Sequence, residues 1–409
     1  MKRSTLMLTA VFAAALAIRW LVLAALLPAM KPDVDLDSYR SLARNLAAGK
    51  GFVAHAGSGP DLPNVARTPV YPLFLAGVIR LGGDRLGLFL AAQCLLGAAT
   101  CGLTVLLAAR WLPSRLAAIA GLLVAIDPNS VVRCADLRTE TLFTLLLVAG
   151  ACVVTWRSDK PWAWLCGGLL WSLATLTRPI AAWLWIIALV VVVTTTLTWR
   201  ARAVCLAAFL AGYLPLEGIW MARNAALTGR WFVSTIATHN LLMYRAAGVE
   251  AEKSSTSLEV MQCRFAAECG DVQFVRDRAS FARSLECYRQ KAMSVLSTAR
   301  RNAIEQTVVG WGRVLFGPGA RSIDAMLREP RAATRWWPPL YGVGLALVSG
   351  LSILGAVRLR SGGVLLTALV FYFVILAGGP ESNSRFRVPI TPMLAVLAVA
   401  GLPSLRKTE

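Results

Sequence analysis

Histidine is almost missing from this 409-residue chain. His55 and His239 are the only two, which excludes a metal centre built from clustered imidazoles. Acidic side chains are also scarce: 22 Asp and Glu stand against 42 Lys and Arg, a formal net charge of +20. The chain has no CxxC, no HExxH, no phosphate loop and no GxGxxG following a strand. Zinc-ribbon, metalloprotease, nucleotide-triphosphatase and dinucleotide chemistry are therefore not indicated. Nor is any segment both long enough and polar enough to form an independent soluble enzyme domain.

What the chain has instead is apolar length. Hydrophobic residues make up 57% of it, in stretches of the size that crosses a bilayer core. About ten such stretches are read, at 5–29, 87–110, 114–127, 139–156, 161–177, 180–198, 203–222, 338–357, 362–378 and 388–404. The expected fold class is an all-α polytopic membrane protein, one transmembrane unit over residues 1–409. Lys and Arg collect in every second short connection (Arg110 and Arg115, Arg157 and Lys160, Arg200 and Arg202, Arg358 and Arg360, Arg406 and Lys407). Such connections stay cytoplasmic. With an even number of spans, both termini then face the cytoplasm of a plasma membrane, and the first span is a retained anchor. Two long loops are left outside, 30–86 and 223–337, before the C-terminal helices of 338–409.

The second loop is itself basic, which suits membrane lipids with anionic headgroups. Nucleic acid is not an expected partner on that side. Five cysteines (Cys94, Cys101, Cys152, Cys166, Cys205) fall in apolar spans and read as small buried hydrophobes. Cys263, Cys269 and Cys287 lie in the second loop, where an oxidising compartment permits disulfides; a Cys263–Cys269 bridge is one candidate, which would leave one thiol over.

A membrane enzyme must gather its chemistry at one face, so polar groups sharing the outer side are the candidates. The first loop opens on Asp33, Asp35 and Asp37, followed by Leu36, Tyr39, Leu42, Ala43 and Leu46 at helical spacing, with Gly49 as a stop. This predicts an interfacial helix headed by carboxylates. One aspartate is explained as a helix cap; three together point to a general base or a cation site. Arg67-Thr-Pro-Val-Tyr71-Pro opens a second interfacial helix. The outer ends of later spans add Asp127, Arg133, Arg138, Glu140, Arg178, Arg223, Arg385 and Arg387. A single arginine there is most simply a snorkelling cation. Six on one face suggest a phosphate site, because the guanidinium fork matches phosphate oxygens.

The order of these elements resembles the bacterial polyprenyl-phosphate-dependent glycosyltransferases of the GT-C superfamily, relatives of the protein O-mannosyltransferases and aminoarabinose transferases. The resemblance is carried by DLDSYRSLARNLAAGKGF, RTPVYPLFLA, DLRTETLFTLLL, LTRP, ARNAALTGRWFVSTIATHNL and SRFRVPITPMLAVLA, in that order. It implies a GT-C-like transmembrane fold in a bacterial inner membrane. It also implies inverting transfer from a polyprenyl-phosphate sugar donor to a lipid, glycan or protein hydroxyl on the periplasmic side. The family's catalytic carboxylate falls on Asp35, with Asp37 second. A further acidic position falls on Glu140, then Asp127. The expected donor phosphate ligands are Arg385, Arg387, Arg178 and Arg223, with Tyr39, Arg67 and Tyr71 lining the substrate. No cofactor is certain, and the aspartates could hold a divalent cation. The competing classes are a transporter of lipid-linked precursors, which would show repeats and mid-membrane charges, and a non-catalytic envelope-assembly partner.

Overall fold

A computed structural model describes residues 2–29, 38–55, 60–320 and 337–403. All ten apolar stretches fall on helices: α1 (Lys2–Leu26), α4 (Leu86–Ala108), α5 (Ser114–Ile126), α7 (Glu140–Trp156), α8 (Pro161–Thr175), α9 (Leu184–Thr194), α10 (Trp199–Thr228), α16 (Trp337–Leu359), α17 (Val364–Ala377) and α18 (Thr391–Ala400). Among the described residues four helical segments are long and apolar enough to cross a membrane: Thr5–Leu26, Leu86–Ala108, Trp199–Thr228 and Trp337–Ala377. A fifth forms if α5 and the segment Pro128–Ala135 count as one broken span, bent by 58° at Asp127–Pro128. The remaining apolar helices are shorter than the roughly 20 residues a span requires. The architecture is thus the expected multi-pass bundle.

Several helices start or stop beside the polar groups. Helix α8 stops at Thr175, the chain turns through Leu176-Thr-Arg-Pro179, and α9 resumes only at Leu184. Helix α10 is 30 residues long; its Tyr213 donates to the Ala181 carbonyl of this connection, and the helix runs on from there to Thr228. The turn therefore sits below the end of its neighbour. Close helix contact at this place rests on small residues: a Cβ on Gly168 would strike the Phe209 carbonyl, and one on Gly212 the Leu165 carbonyl. Exposed Trp156, Trp162 and Trp199 mark one end of the bundle, and Trp183 and Trp231 the other, as belts at two membrane interfaces do. We call the second the site face.

The first loop does form two helices where they were expected, α2 (Tyr39–Ala47) and α3 (Val70–Gly82), packed on each other. Helix α2 ends where Gly49 takes a positive φ of 75°, the left-handed conformation that favours glycine. A short antiparallel hairpin, β1 (Val53–His55) with β2 (Asp61–Pro63), links them. Beyond α10 a helical cap covers the site face: α11 (Ile236–Asn240), a π-helical turn at Leu241–Ala246, α12 (Ala247–Lys253), α13 (Leu258–Cys269), α14 (Arg278–Thr298) and α15 (Arg300–Phe316). Its own core holds Leu242, Met243, Phe265, Val272 and Tyr288.

The cap corrects the candidate disulfide. Cys269 bonds Cys287, their Cα atoms 5.4 Å apart, and Cys263 remains a free, exposed thiol. Cys263 and Cys269 share α13, where six residues of helix separate them by about 9 Å of rise, beyond the reach of a disulfide.

Candidate active site

The site face is organised around two buried carboxylates, each facing two guanidiniums. Glu140 opens α7 with its side chain 2% exposed. Its Oε1 lies 2.8 Å from Arg178 Nη1 and 3.1 Å from Arg385 Nε. Neither contact is an aligned hydrogen bond, and Glu140 Oε2, Arg178 Nη1 and Arg385 Nε all lack hydrogen-bond partners. The two arginines also share an aromatic neighbour: each guanidinium lies over the ring of Phe386, at 5.2 and 5.3 Å. Arg178 comes from the broken α8–α9 connection and Arg385 from the 3-10 turn Ser384–Ile390 that leads into α18.

Asp136 is the second carboxylate, also buried. It accepts a hydrogen bond from Arg133 Nη1 at 2.7 Å and pairs with Arg138 Nε at 3.0 Å. All three lie just after the bend at Asp127–Pro128, and Glu140 is within electrostatic reach of Arg133. Among the described residues, four guanidiniums thus face two buried carboxylates. Such a site is electrostatically suited to an anion.

A polar relay joins this cluster to the first loop. Gln93, buried in α4, donates to the backbone carbonyls of Cys134 and Asp136 at 3.1 and 2.9 Å and accepts from Tyr71 Oη at 2.8 Å. Tyr71 meets Tyr39 edge-on at 5.0 Å, and Arg67 lies over the Tyr39 ring at 5.2 Å. Tyr39, Arg67 and Tyr71, singled out from the sequence, therefore come together. Asp35 and Asp37 lie outside the described residues. Among the described residues no three acidic, histidine or cysteine side chains assemble into a metal-binding group.

The other sequence candidates hold protein rather than open space. Asp127 caps the short helix Pro128–Val132 through Ser130, whose N–H donates at 2.8 Å, and accepts from Tyr341 Oη. Arg387 is 1% exposed; its Nη1 donates to the carbonyls of Val314, Leu315 and Gly317 at the end of α15, and its Nη2 to Tyr341. Arg223 donates to the carbonyls of Asn64 and Phe52 and stacks on Trp220 at 4.7 Å. The reading from sequence did not select Asp136, Gln93 or Tyr341. Gln93 could have been found, since an amide inside an otherwise apolar span needs an internal partner.

Comparison with known proteins bears on this arrangement. Residues 66–220 match the family profile of dolichyl-phosphate-mannose-protein mannosyltransferases. No curated protein sequence matched. Among solved structures, the oligosaccharyltransferase AglB of Archaeoglobus fulgidus, in complex with an inhibitory peptide and a dolichol-phosphate, aligns with 97% of this chain at 10% identity and a TM-score of 0.54. Its apo form aligns with a TM-score of 0.56 and 9% identity. ArnT of Cupriavidus metallidurans bound to undecaprenyl phosphate aligns over 96% of this chain and 76% of its own, at 14% identity and a TM-score of 0.45. The chain spans about half the length of the oligosaccharyltransferase structures it matches. The fold is that of the GT-C glycosyltransferases.

Proposed function

We propose that this protein is an inverting membrane glycosyltransferase that moves a sugar from a polyprenyl-phosphate carrier to a hydroxyl acceptor. The observation that carries the reading is the cluster of Arg178, Arg385, Arg133 and Arg138 around the buried carboxylates of Glu140 and Asp136. In the reaction the acceptor oxygen attacks the anomeric carbon and the bond to the phosphate oxygen breaks. The acceptor proton passes to a carboxylate, and the lipid phosphate departs with the bonding electrons. A phosphate leaves without being protonated, so the site needs a base and cations rather than a general acid. Asp35 is the base in this reading and Asp37 the second choice. Tyr39, four residues further along the chain, belongs to the relay that reaches Asp136.

Arg178 and Arg385 are the phosphate ligands, ahead of Arg223 and Arg387. The first two keep some exposure, 13% and 22%, and face only a carboxylate without an aligned bond, whereas Arg223 and Arg387 donate to backbone carbonyls. Glu140 holds the first two in place until the phosphate arrives. The site face is periplasmic and both termini cytoplasmic, following the Lys and Arg asymmetry. The positive charge of the cluster comes from arginine, and no step here is routed through a metal ion.

The test is transfer by purified protein in nanodiscs, offered a panel of polyprenyl-phosphate sugars and followed by mass spectrometry of the products. Asp35→Asn should lower turnover about 100-fold or more while donor binding persists. If Asp37→Asn alone abolishes turnover, the base is Asp37. Full turnover in both variants, or movement of donor across vesicles without transfer, would remove the proposed mechanism. Phosphatase fusions at residues 112, 270 and 408 check the orientation; activity is expected only at 270.

A further inference from the structure

Helix α15 belongs to the second outer loop, yet beside its exposed Arg301–Glu305 ion pair the outward surface carries a run of apolar side chains. Ile304, Val308, Val309 and Phe316 are 64%, 52%, 51% and 46% exposed. Their spacing puts them on one face of the helix. The other faces are covered. Gln306 donates to the Gly248 carbonyl and to Glu252 of α12. Gly310 lies against Gly379, and Trp311 reaches the Ile375 carbonyl at the end of α17. At the C-terminus Arg387 holds the last carbonyls, and α16 packs alongside.

The exposed face is therefore continuous with two apolar spans. Helix α17 turns Phe371 and Ile375 outward, and Ile375 is the residue whose carbonyl Trp311 meets. Helix α16 turns out Leu340, Val343 and Leu347. At the far end of α15, Arg300 and Arg301 are exposed, where cations meet anionic headgroups. A patch of this size and continuity is not left in water.

We propose that α15 lies in the outer leaflet of the bilayer, with Ile304, Val308, Val309 and Phe316 among the acyl chains and Arg300 and Arg301 at the headgroups. The lipid surface then extends from α17 across α15, and part of the cap is a monotopic membrane element. The assignment follows from exposure and continuity and is independent of the reaction the site performs.

Spin-label accessibility tests it in the full chain, in nanodiscs of phosphatidylethanolamine and phosphatidylglycerol. Cys263→Ser removes the exposed thiol. Val308→Cys and Phe316→Cys are then labelled beside Val343→Cys on α16 as a lipid control and Arg283→Cys on α14 as an aqueous one. The labels at 308 and 316 should collide with oxygen in preference to a water-soluble nickel chelate, in the ratio found at 343. Collision with the chelate as frequent as at 283 would place the face in water and overturn the proposal. Protection from both reagents would mean that protein, such as a second copy, covers the face, and would overturn it equally. Labelling at both sites guards against a single variant that perturbs α15.

Discussion

Arg387 and Arg385 are two residues apart, yet the structure uses them in opposite ways. Arg387 is buried at the 1% level, and its two Nη atoms donate to three carbonyls and a tyrosine. The side chain of Arg385 keeps 22% exposure, and its Nε has a carboxylate nearby but no aligned bond. Arg223 resembles the first, Arg178 the second. The difference lies in what ends nearby. Arg387 meets the C-terminus of α15, where helix carbonyls lack partners and attract a cation. Arg385 and Arg178 meet only a side chain and a ring, both of which a ligand can compete with. Four arginines of one type on one face thus divide into two that hold the fold together and two that keep binding capacity.

The largest test of this division is Arg387→Ala. It strands three buried carbonyls and Tyr341, and should cost about 3 kcal/mol or more of stability, read as a fall in unfolding temperature. If Arg387→Ala leaves stability intact and weakens donor binding instead, the division is drawn in the wrong place.

His239 shows the same contrast in the cap. Burial, with Arg67 nearby, pushes its imidazole down to about 4, against about 6.5 in an unfolded chain. Between these values the unfolded chain binds the proton and the folded one does not. Stability is therefore complete above pH 6.5 and is lost as pH falls toward 4, by about 2 kcal/mol at pH 5. His239→Phe, which keeps a ring beside Tyr288 and Tyr244, should flatten that slope in a pH series of melting curves. An unchanged slope would assign it to other groups.

Arg178→Lys and Arg385→Lys should leave the melting temperature nearly unchanged. Each should weaken binding of a polyprenyl phosphate about tenfold, because lysine keeps the charge and loses the fork. Unchanged affinity in both would return Arg223 to consideration.

A third kind of arginine should matter least. Arg40 and Arg44 pair with Asp84 beside α3, with Arg40 Nε 2.7 Å from the carboxylate. Burial alone would raise the Asp84 carboxyl, but the two guanidiniums prevail and hold it below its usual range. These groups are partly exposed, so water and salt screen them. Asp84→Asn should change stability by less than about 1 kcal/mol, most visibly at low salt.

Much of this was legible from residue pattern. Each apolar stretch lies on a helix, the two helices of the first loop stand after the first span, and Glu140, Arg178 and Arg385 meet although 38 to 245 positions separate them in the chain. Apolar length is written locally, so periodicity suffices to read it. Burial of a polar side chain is not local. Asp136 looks like any turn aspartate until Arg133 and Arg138 fold back on it, and nothing near Arg387 in sequence shows that the end of α15, some seventy residues earlier, lies against it. The disulfide failed for a related reason: closeness along the chain suggested Cys263–Cys269, whereas helix geometry holds those two apart.

Arg178 and Arg385 both lie over the ring of Phe386 and share Glu140 as their carboxylate neighbour. Two like charges so placed repel each other, and in most recesses they would swing away toward solvent until an anion drew them in. An aromatic face presents negative density to each cation, so the ring and the shared carboxylate make their closeness tolerable beforehand. The arriving anion then has little side-chain rearrangement to induce. Replacing Phe386 with leucine should slow capture of a phosphate ligand more than it hastens release, since the cost of gathering the two cations would move from folding to binding.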